Sequence, residues 1–496
     1  MNHPTIPTLI DQAISAHQRC DPARMTALLK EVLALDPENA DALYLLGMNA
    51  SRLNRPDLAV NLISKAIALK PNNPYYHFNL AACLTTLGQT AAAAANLRQT
   101  IALKPDLAEA HVNLGNLLQG NRDHEAALAC YRQALGINPA LTVAHYNWGV
   151  ILQESGDHAG ALERFDAALR CDPESATAHL GRAASLLKTG RMTEGWEEYA
   201  WRFRLPNHAP RLCPVPRWDG SDPAGLRIYL YTEQGFGDAL MFARFAPRLK
   251  ALGATVLLEC RPELHRLLAA SALADQVSAR SLDDGAPPPF DYDRHLPLLC
   301  LPRLLGITLE NLPDHSVPYL TPPAARIQAW AARLGPKTGL RIGLSWSGNP
   351  EAVVNRDRAC TLQDLLPLTT LPGVTCYSLQ KGTPAAQLTA EWQQRHAILP
   401  LADALDDFTE TAAALCQLDL LISTDTAIVH LAGGLGVPVW TLLHTACEWR
   451  WLESGHTSPW YPAMRLFRQP VLGDWSSVVE QVRASLDELR PGHSLA

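Results

Sequence analysis

The chain has 496 residues, 47% hydrophobic and 18% charged, a length that at ~150 residues per domain suggests about three domains with cores of their own. Its net charge of −7 comes from interspersed acids and bases with no polybasic run, which argues against nucleic acid or an anionic membrane as main partner. No stretch approaches a membrane span, Met1 to Ser15 lacks a signal-peptide pattern, and eleven scattered cysteines without a C-x-x-C pair fit reduced thiols, so a cytoplasmic protein without structural zinc is expected.

The first two hundred residues are periodic. Pro37, Pro71, Pro105, Pro139 and Pro173 recur every 34 residues, each preceded by Asp, Lys or Asn at the end of an apolar helical run. Small residues hold two further registers, Gly47, Ala81, Gly115 and Gly149 on one, Ala59, Ala93, Ala127 and Ala161 on the other, where two antiparallel helices approach closely. The pattern resembles the tetratricopeptide repeat, which implies helix pairs stacked into a superhelix. Five units span roughly residues 7 to 176. A sixth, altered unit runs to 203 and ends in Glu194-Gly-Trp-Glu-Glu-Tyr-Ala-Trp; unit one, with Ala13 and Met25 at the small positions, suits a cap.

Two more columns run through the repeats, Asn79, Asn113 and Asn147, and His77, His111, His145 and His179. The asparagines resemble the ladder with which O-linked N-acetylglucosamine transferases hold a protein substrate's backbone. An amide can donate to and accept from a peptide group without reading its side chain, although local capping or packing would equally account for the column. The histidines, on stacked helices ~8–10 Å or more apart, are too distant to share a metal.

A proline-dense, aperiodic stretch from Leu205 to Gly220 marks a linker or clasp, placed at residues 204–223. Beyond it, short apolar strands alternate with helices, the signature of parallel α/β structure. Strands are expected at Arg227 to Tyr231 and Thr255 to Cys260, with helices at Asp238 to Ala251 and Pro262 to Ser271. A second series has strands at Leu340, at Val374 to Leu379, at Leu418 to Ser423 and at Val437 to Leu443. Pro287-Pro-Pro-Phe reads as a surface loop and Leu334 to Gly339 as a hinge, so two Rossmann-like halves are expected at residues 224–335 and 336–496. A last helix, from about Ser476 to Leu489, closes the chain. Two halves facing across a cleft is the GT-B arrangement common among sugar-nucleotide transferases.

Ser423, Thr424, Asp425 and Thr426 stand where a strand ends and a helix begins, and free backbone N–H groups and the helix dipole there favour a phosphate. His430 lies one turn beyond Thr426, facing the same cleft. In the first half, Tyr231-Thr-Glu-Gln-Gly-Phe-Gly-Asp opens a helix, with Pro247 about nine residues on. This strand followed by Gly-x-Gly-Asp resembles the amino-terminal signature of the heptosyltransferases, glycosyltransferase family 9, and Asp425-Thr-Ala-x-x-His-Leu-Ala resembles that family's donor-site motif. The resemblance covers about residues 224 to 490. It implies that Asp238 is the general base and that Asp425, Thr426 and His430 contact the donor diphosphate. Neither motif contains an Asp-x-Asp pattern, so no obligatory metal is expected. The family usually has Gly where this chain has Ala427, whose methyl narrows the approach of a diphosphate.

Chemistry alone asks for a base toward the acceptor hydroxyl and for cations or N–H groups toward the leaving diphosphate. Arg356 or Arg358, after the Leu340 strand, and Lys381, after the Val374 strand, stand at the edge where a phosphate would sit. Glu233 and Gln234 are reserve candidates for acid–base work or acceptor binding. A solvated charge or an N-cap would account for each of these singly. Gly235-x-Gly237 also begins like a dinucleotide fingerprint, with Glu259 where a ribose-binding acid would stand, but Leu240 replaces the third glycine, which ranks an oxidoreductase low. The expectation is therefore a metal-independent glycosyltransferase that needs no cofactor. It would move a hexose or heptose from a nucleotide-diphosphate donor, ADP-heptose-like on the family resemblance, to a protein or glycan recruited by the repeats. A scaffold with an inactive α/β part is the main alternative.

Overall fold

A computed structural model of the chain describes residues 5–206, 211–281, 290–312, 317–351 and 355–488. Part of the linker (207–210), most of the expected Pro287 loop (287–289) and Leu489 lie outside them.

Among the described residues, twelve helices of the repeat region run from Ile6–Gln18 to Met192–Tyr199, mostly alternating 13 and 14 residues, and consecutive helices pack in pairs. Pairing follows from the small registers. A Cβ on Gly115 would lie 2.6 Å from the Tyr131 ring, one on Gly149 2.7 Å from the Phe165 ring, and one on Gly47 2.7 Å from Ile63. Each glycine thus opens the space that a large residue from the paired helix fills, and Ala59, Ala93, Ala127 and Ala161 are fully buried beside them. The histidine column closes the turns between units: Nε2 of His77, His111 and His145 lies 2.9, 3.0 and 3.1 Å from the carbonyl oxygens of Pro71, Pro105 and Pro139.

The later part holds two parallel sheets. The first has strands β1 (Arg227–Tyr231), β2 (Thr255–Cys260), β3 (Gln276–Ala279) and β4 (Arg294–Pro297), in the order β3-β2-β1-β4. The second has β5 (Leu340–Ser345), β6 (Val374–Ser378), β7 (Ile398–Pro400), β8 (Leu420–Thr424), β9 (Val439–Leu443) and β10 (Met464–Arg468), in the order β10-β9-β8-β5-β6-β7. That is the doubly wound order, and it reverses between β5 and β8. The central strands are buried on both faces, as continuous apolar runs require. The strands β3, β4, β7 and β10 went unread in the sequence, being short or only partly apolar. The expected Asp238–Ala251 helix is Phe236–Phe242, a 3-10 turn at Ala243–Phe245 and Ala246–Ala251. The linker acts as a clasp at one point, where Arg217 bridges to His295 of β4 and Trp218 N–H donates to the His295 carbonyl.

The chain divides into two compact units, Met1–Gln153 with Ala159–Ala178, and Glu154–His158 with His179–Ala496. The altered sixth repeat therefore belongs largely with the sheets. Leu187, Met192 and Trp196 are part of the same apolar core as β1 and β2, and the Trp196 indole N–H donates to Ile307 O at 2.9 Å.

Candidate functional site

The strand β8 runs fully buried into Thr424, and the helix Ala427–Leu435 starts from Thr426 in extended conformation with no side chain capping it. Asp425 is thus not a cap; Val429 N–H turns back to the Thr426 carbonyl at 3.1 Å, and the N–H groups of Ala427 and Ile428 have no partner among the described residues. Gly436, at φ +75°, ends the helix in the left-handed region that glycine tolerates. Opposite, Gly235 precedes the helix Phe236–Phe242. A Cβ on Gly237 would come 2.9 Å from His430 Cδ2, so the second glycine of the Gly-x-Gly-Asp motif is what lets the two helices meet.

These two helix starts and the loop after β9 enclose a cavity of about 450 Å³. Asp238 pairs with Arg450, Arg450 with Glu448, and Glu448 with Arg358. Arg358 Nη1 donates to the Asp425 carbonyl at 3.2 Å, and its Nε lies 3.9 Å from Asp425 Oδ2. The result is one alternating chain of three acids and two arginines across the cavity. Burial alone would raise the Glu448 carboxyl, but Arg450 and Arg358 outweigh it and hold it at about 2. Burial raises the Asp425 carboxyl, with Arg358 opposing. His430 is buried, stacked on Trp451 (centroids 5.4 Å apart, 16° between planes), and burial together with Arg450 pushes its imidazole down to about 3. It is neutral at physiological pH.

A second cavity of about 640 Å³ adjoins the first, sharing Phe236, Gly348, Asn349, Thr426 and Ala427. Its wall is formed by the loops after β5 and β6, by Gln380 and by Phe408. Both cavities lie at the point where the strand order reverses, the usual ligand position in such sheets.

Of the residues singled out in the sequence, Asp238, Gln234, Arg358, Asp425, Thr426 and His430 line the first cavity together. Three others do not. Arg356 is exposed, because two positions along the Asn355–Arg358 turn face away from each other. Lys381 borders the second cavity, and its ammonium is spent on the Leu405 carbonyl. Glu233 is bound by Arg202 at 2.8 Å and turned from the cavity, leaving Gln234, held 3.1 Å from the Tyr199 hydroxyl. In the repeats, Asn79 Nδ2 is donated to Tyr44 OH (2.7 Å) and the Tyr75 carbonyl (2.9 Å), Asn147 Nδ2 to Asn116 (2.6 Å), and Asn113 is half-buried. Two of the three ladder amides are thus engaged locally. Glu259, the candidate ribose acid, is buried on Arg211 at 2.5 Å.

Sequence reasoning missed Glu448, Trp449, Arg450 and Tyr199. The first three follow β9 at the carboxyl edge of a parallel sheet, a position that would have flagged them. Tyr199 gave no signal, being one aromatic among several in the altered repeat.

Tetratricopeptide-repeat family models match residues 21–83, 108–141 and 146–200, so the first part of the chain is a tetratricopeptide array followed by a parallel α/β part. Among curated proteins, the chain is 30% identical over 329 residues to Protein FlbA of Caulobacter vibrioides, a match covering 62% of this chain and 54% of FlbA. The chain thus spans about half the length of that relative, and the matched span is longer than the repeat region. Among solved structures, MamA is 23% identical and covered to 96%, with 33% of this chain and a TM-score of 0.32. YrrB, described as a tetratricopeptide protein with an unusual peptide-binding site, is 24% identical and covered to 90%, with 35% of this chain and a TM-score of 0.32. The repeats point to a scaffold or interaction role for the first part of the chain. Among the described residues no helix is long and apolar enough to cross a membrane.

Proposed function

We propose that the chain is a glycosyltransferase in which the two parallel sheets act as the halves of a GT-B module and the repeats recruit a protein or glycan acceptor. The observation that carries this reading is the meeting of Asp238, Arg450, Arg358 and the uncapped start of the Ala427 helix around one cavity. A diphosphate there would exchange its oxygens for Glu448 on the two guanidinium groups and take the free N–H groups of the helix. The adjoining cavity, with Phe236, Leu379, Phe408 and Ile428, suits a nucleoside. Asp238 Oδ1 is taken by Arg450, which leaves Oδ2 to accept the acceptor's hydroxyl proton as the sugar leaves the diphosphate. The heptosyltransferase resemblance favours an ADP-heptose-like donor, with the Ala427 methyl on the floor shared by both cavities.

The test is incubation of the purified protein with ADP-, UDP- and GDP-sugars, following nucleotide release and acceptor mass. Turnover with one donor supports the reading; no turnover and no nucleotide binding with any of them rejects it. Asp238→Asn should lower transfer by about 10²- to 10⁴-fold while sparing nucleotide binding. A second reading, a repeat scaffold with a silent α/β part, is favoured by the closed ion chain that occupies the cavity. It predicts partner capture indifferent to changes at Asp425 or His430.

A further inference from the structure

Of the basic side chains expected at the donor site, Arg356, Arg358, Lys381 and His430, only His430 is held uncharged, and its surroundings say what it does instead. Its Nδ1 lies 3.0 Å from the Tyr461 hydroxyl. Tyr461 is 1% exposed, and the guanidinium of Arg244, itself buried and anchored to the carbonyls of Trp460 (2.7 Å) and Met241 (3.1 Å), lies 4.6 Å over its ring. A buried phenol has to give its proton to an acceptor, and among the described residues His430 Nδ1 is the acceptor within hydrogen-bond geometry of this hydroxyl. Were Nδ1 itself to carry the ring proton, the Tyr461 O–H would be left buried with nothing to donate to. The neighbouring phenol, Tyr319, has given its own proton to the Leu240 carbonyl at 3.0 Å and accepts from Arg244 at 3.3 Å. The proton therefore goes to His430 Nδ1, which forces the ring proton onto Nε2. That edge of the ring faces Gly237, where a Cβ would lie 3.6 Å from Nε2, and it opens into the first cavity with no hydrogen-bond partner among the described residues.

We infer that Tyr461, its ring held beneath the Arg244 guanidinium, is a positioning residue that locks His430 in its Nε2–H tautomer, so that it offers a ligand anion a fixed, neutral hydrogen-bond donor. This rests on the donor-site reading above. The charges facing His430 agree: Arg450 and Glu448 from the loop after β9, Arg358 from the turn after β5, and Arg244 from the opposite half set three cations against one carboxylate, which opposes a further proton on the ring. The ring plane is fixed by Trp451 on one face.

Full-length protein labelled with 15N-histidine tests this, with the His430 signals assigned by their loss in His430→Gln. Long-range 1H–15N correlations should show a protonated Nε2 and a bare Nδ1, unchanged from pH 6 to pH 8. Tyr461→Phe, which keeps the ring, should move proton population toward Nδ1 and weaken binding of inorganic pyrophosphate by about threefold to tenfold, the worth of one hydrogen bond. A protonated Nδ1 in the wild-type protein, or a ring that titrates near pH 6.5, overturns the inference, and that spectrum decides even if Tyr461→Phe does not fold. An Nε2–H ring whose signals ignore pyrophosphate, in a protein that binds none, upholds the lock and rejects the diphosphate reading instead.

Discussion

Glu448, its side chain 38% exposed, sits between two guanidinium groups, and removing Arg450 would strand the charge of the less accessible Asp238, whose side chain is 17% exposed. Arg450 is 7% exposed and holds both Asp238 and Glu448. Arg450→Met should therefore destabilise the protein by about 3 kcal/mol in denaturant melts, the loss expected when a buried ion pair is broken from one side, and should abolish pyrophosphate binding. Acid should act on the same cluster. His430 falls from 6.5 when unfolded to about 3 when folded, so between those values the unfolded chain binds the extra proton. Glu448 falls from 4.5 to about 2, with the same sign. Stability from both groups is complete above pH 6.5 and is lost as pH drops, first through His430 and below pH 4.5 through Glu448 as well. Melting temperature against pH should show this slope, and His430→Gln should flatten the limb between pH 4.5 and 6.5.

At the scale of single elements, the repeat helices depend on what is missing from them. Gly149→Val would drive a branched side chain into the Phe165 ring, and with no void to receive it a loss of about 1–3 kcal/mol is expected in thermal unfolding. The same change at Gly136, with nothing within 4 Å, should cost far less and serves as the control. The loop after β9 depends instead on a remote lysine. Lys188 ends the helix Ala176–Lys188, is buried, and donates its ammonium to the carbonyls of Cys447 (2.6 Å) and Glu448 (3.2 Å). Burial lowers its pKa, and the two carbonyls and the Cys447 sulfur at 3.1 Å are what it gains in return. Lys188→Met should leave those carbonyls unpaired, free the segment that carries Glu448 and Arg450, and weaken pyrophosphate binding measured by calorimetry.

For the molecule as a whole, the boundary between compact units falls inside the sixth repeat, after Ala178, and not at its end. A chain beginning near residue 172 should keep the first cavity and any nucleotide binding the full chain shows, whereas one beginning at 204 loses Trp196 from the core and Tyr199 from the cavity and should aggregate; light scattering and nucleotide titration of the two truncations decide it. Much of this fold was legible in the sequence because its signals are local. A 34-residue period, a proline after each helix and alternating glycine and alanine registers are imposed by close helix packing, which every unit must satisfy with its own residues and immediate neighbours. The strand ends at Ser345 and Thr424, and the helix starts at Phe236 and Ala427, are local in the same way, which is why Asp238, Arg358, Asp425, Thr426 and His430 could be named together. The partners of those residues were not legible. Asp238 and Arg450 are 212 positions apart, Lys188 and Cys447 259, and nothing in the composition of either segment records the other. Sequence by itself determined the repeats, the parallel α/β class and which strand ends and helix starts carry the polar residues of the first cavity, since backbone hydrogen bonding and short-range packing dictate these. Only the tertiary structure decided which charges meet, that Arg356, Lys381 and Glu233 stand outside the cavity, and that His430 is neutral, because burial and Coulomb interaction depend on distance through space and not along the chain.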